Sequence, residues 1–145
     1  MSDLVSVDQR GGQWLVASYS QTVHGFWVMN GWLRRLEADA PDEEIGTAVQ
    51  QGLERSAASV EAPARDTNPA APLLEMVGLR SYGAYMRGTR SIDVTREGNT
   101  VTIEPKRNEG PRGGFTPLAE LAEVLDLPSQ GELGKAIQEA LKRTL

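Results

Sequence analysis

The chain has 145 residues, 39% apolar and 24% charged, with 20 acids against 15 bases for a net charge of −5. That is enough for one domain with its own core, and the acidic balance argues against a general nucleic-acid binder, whose surface is basic. Cysteine is absent, which excludes disulfides and thiolate metal sites and fits a reducing cytosol. No apolar run approaches the roughly 18 residues of a membrane span.

The N-terminal stretch MSDLVSVDQRGG has an acid at position 3 and no basic region, so no secretory signal is expected. Residues 13–20, QWLVASYS, read as a strand from their aromatic and β-branched content. In GFWVMNGWLRRLEA, Gly31 interrupts the pattern, and two short strands are expected at about 26–29 and 32–37. A helix follows at about 43–56. Residues 57–72 hold three prolines among small residues and read as a surface connector between halves 1–56 and 73–145 of one domain. Leu74, Val77 and Leu79 suggest a short helix, and Ser81 can cap a second turn carrying Tyr82, Tyr85 and Met86. SIDVTREGNTVTIEP has the alternation of an antiparallel hairpin around Gly98-Asn99, ended by Pro105. KRNEGPRGG (106–114) reads as a glycine-rich loop, and the VLDL stretch near 127 as extended, although ELAEVLDL also suits a helical turn or two. A helix closes the chain.

The two long helices are nearly the same sequence: EIGTAVQQGLERS at 44–56 and ELGKAIQEALKRT at 132–144. Ile45, Ala48, Val49, Gly52 and Leu53 fall on one helical face, as do Leu133, Ala136, Ile137, Ala140 and Leu141. Ser129 and Glu132 have capping-box spacing. A glycine inside a helix costs about 1 kcal/mol against alanine, so Gly46 and Gly134 imply close backbone packing. Strands outnumber helices in each half. The expected fold is therefore α+β: a mostly antiparallel sheet flanked by helices, built from two pseudo-repeated halves.

Charge is unevenly placed. Acids without bases cluster at 36–54, including Glu37, Asp39, Asp42, Glu43 and Glu44, and at 113–134, including Glu120, Glu123 and Asp126. Two readings apply: the ordinary preference for acids at helix starts, or a docking surface for a basic partner.

Chemistry-bearing patterns are few. His24 is the only histidine and has no cysteine beside it for a metal site. Ser18 and Ser20 lack a GxSxG context, and EGPRGG lacks the GK[ST] ending and following helix of a phosphate loop. No metal, cofactor or catalytic residue is expected. Trp14, Trp27, Trp32, Tyr82 and Tyr85 are core candidates, and any that is exposed becomes an interface anchor.

The segment MVGLRSYGAYMRGTRSIDVTREGNTVTIEPKRNEGPRGGFTPL, followed by VLDLPSQGELGKAIQEAL, resembles the immunity proteins of bacterial contact-dependent growth inhibition (CDI) systems, one of the CdiI families. The resemblance rests on Ser81 to Tyr85 before a strand, on Ile103-Glu104-Pro105 ending a hairpin, on Gly113-Gly114-Phe115, and on Glu132 to Ala136. It spans about residues 25–145 and implies a bacterial cytoplasmic protein that binds the C-terminal toxin domain of a CdiA protein and occludes its active site. Many such toxins are basic nucleases. The eight acids Glu37, Asp39, Asp42, Glu43, Glu44, Glu120, Glu123 and Asp126 are the expected toxin contacts, without nucleic acid, membrane or cofactor; oligomeric state stays open. The alternative is a small-molecule or peptide binding module with a pocket between sheet and helices; an enzyme using paired carboxylates ranks third.

Overall fold

In the computed structural model, which describes residues 2–145, β1 (Ser2–Arg10), β2 (Gln13–Gln21) and β3 (Trp27–Glu37) form an antiparallel meander followed by α1 (Asp42–Arg55). After the connector come α2 (Ala71–Val77), α3 (Tyr82–Met86) and the hairpin of β4 (Arg90–Glu97) and β5 (Thr100–Asn108). Then follow β6 (Phe115–Pro117), a 3-10 turn at Ala119–Leu121, β7 (Glu123–Asp126) and α4 (Gln130–Leu141). The seven strands make one antiparallel sheet in the order β3-β2-β1-β4-β5-β6, with β7 also paired to β5. The fold is α+β, and the sheet draws strands from both halves of the chain.

Three local expectations are corrected. Residues 2–10, given no element from the sequence, form β1 at the centre of the sheet, with Val5 and Val7 fully buried. Its alternate residues Ser6 and Asp8, on the opposite face, are buried too. In place of two short strands, β3 is one strand carrying a bulge: the register jumps from Ala17↔Leu33 to Tyr19↔Met29. Gly31, at φ +93°, absorbs the kink there, and the Asn30 amide nitrogen fixes it by donating to Ser18 Oγ and Ser20 Oγ, both at 3.0 Å.

Nor does Pro105 end the hairpin; β5 runs on to Asn108. The Pro105 carbonyl accepts from the Leu118 N–H at 2.9 Å, so that residue's backbone polar groups face the outer edge of β5. There β7 reaches only Ile103 and β6 begins only at Lys106, so the missing N–H of proline costs no ladder bond.

α1 and α4 lie on one face of the sheet, packed on each other and on Val5, Val7, Trp14, Val16, Ile92, Val94, Val101 and Ile103. Burying each large side chain of such a face stabilises the fold by about 1.5–3 kcal/mol, an upper estimate against a partly collapsed unfolded chain. The helices meet through glycine, as their repeated position suggests. A Cβ on Gly46 would lie 1.9 Å from the Gln130 carbonyl oxygen, and one on Gly134 would lie 1.8 Å from that of Asp42. Each glycine thus receives the backbone of the other helix's first turn. On the opposite face, α2 and α3 seal a smaller core of Leu15, Leu73, Leu74 and Tyr85.

Candidate functional site

The eight expected contact acids are spread over the β3–α1 junction, the first turn of α1, the 3-10 turn and β7. Glu37 and Asp39 are exposed where β3 runs into α1, with Glu37 paired to Gln13. Asp42, Glu43 and Glu44 occupy the first turn of α1, where they complement its dipole. Asp42 is half-buried and accepts a 2.6 Å hydrogen bond from Gln138 Nε2 of α4, which gives it a role in joining the helices. Glu120 lies on the 3-10 turn, and Glu123 and Asp126 on β7. Glu123 faces Arg143 at 3.8 Å.

β3 and β7 are at opposite edges of the sheet. Glu37 also lies level with the Arg10 end of β1, whereas Asp126, opposite Thr100, lies level with its Ser2 end. At about 3.4 Å per residue and about 4.8 Å per strand, the two acids sit at diagonal corners roughly 35 Å apart. Sequence spacing carries no information on that separation, which the strand order alone creates.

The sheet's second face holds a buried polar cluster that the sequence reading missed. The Asp8 carboxylate, 4% exposed, accepts from the hydroxyls of Ser6 at 2.9 Å, Ser91 at 2.5 Å and Tyr85 at 2.6 Å. Arg10 Nε donates to the Tyr85 carbonyl at 3.1 Å, and its guanidinium lies over the Tyr85 ring. Burial first, then the neighbouring Asp8 charge, push the Tyr85 hydroxyl far above its ordinary range. Tyr85 therefore stays a protonated donor, and the cluster ties β1, β4 and α3 together. Its only sequence signal is an aspartate on the polar side of VSVDQR. Nearby, Lys106 pairs with Asp93 at 2.8 Å, and Glu104 is pushed upward chiefly by burial and then by the charge of Asp93.

The aromatics divide as well. Trp14 and Tyr85 are buried and Trp32 packs partly on the main core, whereas Phe26, 70% exposed, caps the β2–β3 turn beside Val23 and the exposed His24. Trp27 and Tyr82 line an open cavity of about 290 Å3 together with Tyr19, Met29 and Pro69. The interface between sheet and α1/α4 is filled by side chains such as Trp14, Ile45, Leu53 and Ile137. At its margin, a cavity of about 180 Å3 opens between Gln50, Leu53, Arg96, Asn99, Val101, Leu127 and Leu133. Among the described residues no group of three or more His, Cys, Asp or Glu is placed to hold a metal ion, and no helix is long and apolar enough to cross a membrane.

Strand order and helix placement define the class: an α+β protein with an antiparallel sheet and a glycine-crossed helix pair on one face. The chain matches the CDI immunity protein family, CdiI, over residues 3–144 and belongs to that family. It is similar in fold to a Neisseria meningitidis protein of unknown function, at a TM-score of 0.82 and 19% identity, covering 100% of this chain and 96% of that one. It is likewise similar to a chain of the CdiA-CT/CdiI toxin and immunity complex from Yersinia pseudotuberculosis, at a TM-score of 0.79 and 20% identity, covering 100% and 98%. No match was found among curated proteins.

Proposed function

We propose that this chain is the immunity partner of a CdiA C-terminal toxin domain, which it neutralises in the bacterial cytosol by covering the active site, without turnover of its own. The observation that carries this reading is the family match over residues 3–144. A structural neighbour of the same fold was solved as a toxin and immunity complex, which supports a toxin partner here. A net charge of −5 suits a basic target such as a nuclease, because opposite charge speeds encounter and competes with the nucleic-acid substrate for the same cleft. The interface under α1 and α4 is largely filled by side chains, and the cavity of about 180 Å3 at its margin is smaller than the roughly 300 Å3 of an ordinary ligand site.

Toxin assays with the domain encoded beside this chain's gene test the reading. One equivalent of this protein should abolish toxin activity, with binding weakened by added salt. A toxin that stays fully active under excess protein would remove the proposal.

A further inference from the structure

We infer that the toxin seats, basic surface first, on the half of the sheet's second face that α2 and α3 leave open, and lays a cationic side chain in the aromatic cavity at its end; this rests on the immunity reading above. The strand register fixes what that half presents. One row across the sheet runs Tyr19, Leu4, Thr95, Thr102, Val124, and at about 4.8 Å per strand it spans roughly 19 Å. Ser6, Asp93 and Glu104 lie along one side of it, and Glu97, Thr100 and Asp126 along the other. α2 and α3 pack over β2, β3 and the Asp8 level of β1. Beyond them Asp93, Thr95, Thr102 and Glu104 are half-buried, and Glu97, Thr100, Val124 and Asp126 are exposed.

The open half carries negative charge that the fold itself does not use. Asp93 and Glu104 stand directly opposite each other, a like-charged cross-strand pair that costs stability. Lys106, the one cation that β4, β5 and β7 place on this face, is bonded to Asp93 at 2.8 Å. Glu104, Glu97 and Asp126 are in no ion pair among the described residues. At the far end of the row, Tyr19, Trp27 and Tyr82 wall the open cavity of about 290 Å3. Burial first, then the charges of Asp8 and Asp93, push the Tyr82 hydroxyl above its ordinary range, so the negative field of the strip reaches the cavity. Aromatic faces inside a negative field attract a lysine or arginine and repel an acidic partner. Carboxylates along the strip and π faces at its end thus select the same occupant, a basic domain.

The test follows association and dissociation of the full-length protein with the neighbouring toxin domain, alongside melting temperature. Glu104→Gln removes the repulsion from Asp93 and the contact charge together. The expected result is a complex lifetime roughly fivefold shorter with a melting temperature unchanged or raised, a combination that a purely structural glutamate does not give. Thr102→Arg places bulk and positive charge at the centre of the strip and should shorten the lifetime roughly tenfold. Trp27→Leu keeps apolar bulk but deletes a π face, and should shorten it roughly threefold. Glu37→Gln, at the diagonal corner, changes net charge as much as E104Q and should leave the lifetime unchanged. A wild-type lifetime in E104Q, T102R or W27L, or an equal shortening by E37Q, overturns this placement while leaving the immunity reading intact. Absence of binding by the unaltered protein overturns both.

Discussion

At the scale of single residues, the most demanding positions are the two helix glycines. Replacing glycine by alanine in a helix interior ordinarily gains about 1 kcal/mol. Here Gly46→Ala and Gly134→Ala must push a Cβ into the backbone of the neighbouring helix. The expected sign is therefore reversed, with a loss of about 3 kcal/mol each, at the upper end of typical overpacking costs. Urea denaturation checks it, and a stabilised G46A would contradict the crossing geometry. Tyr85→Phe removes one of three hydroxyl donors to the buried Asp8 carboxylate. A loss of about 1–3 kcal/mol is expected, with toxin binding unchanged because both side chains are covered. The glycines were legible in the sequence because a costly residue stands at the same place in both copies. The Asp8–Tyr85 pair was not, since its members are 77 residues apart and aspartate on a strand's polar side ordinarily meets water.

At the scale of elements, α1 and α4 were readable from their apolar periodicity, and the α4 start from its capping box. Ser129 Oγ accepts from the Glu132 N–H at 3.2 Å, while Glu132 Oε1 accepts from the Ser129 N–H at 3.1 Å. Ser129→Ala should cost about 1 kcal/mol in denaturant titrations. These bonds hold the Glu132 carboxyl below its ordinary range. Its folded pKa is depressed, so its contribution is present above the unfolded value and lost as pH falls through the folded one. Glu132→Ala should thus lower the melting temperature at pH 7 and change it little at pH 3; an equal drop at both would exclude the ionised cap. Strand boundaries were less legible. Gly31 looked like a stop because a bulge and a turn use glycine for the same reason, and Pro105 looked like a stop because the gap on the outer edge of β5 exists only in the assembled sheet. β1 held just two fully buried valines between polar residues whose burial depends on α3. The proposed kinship of the two halves rests on the helix segments.

At the scale of the whole molecule, the sheet places Glu37 and Asp126, drawn from the two acidic runs, at opposite corners. Glu37 and Asp126 at opposite corners cannot serve one small contact, and a standard interface of about 800 Å2 per partner would take in only one of them at its centre. Under the proposed immunity function the acids act as a long-range field, which works through net charge and needs no contact. Raising ionic strength should therefore slow association more than it speeds dissociation, in stopped-flow measurements with the toxin domain. The account stands most directly on one titration: toxin activity measured against increasing amounts of this protein. A sharp end point at one equivalent, restored to full toxin activity when the protein is removed, is the predicted result. Undiminished toxin activity throughout, or loss of activity through consumption of a substrate by this protein, would contradict it.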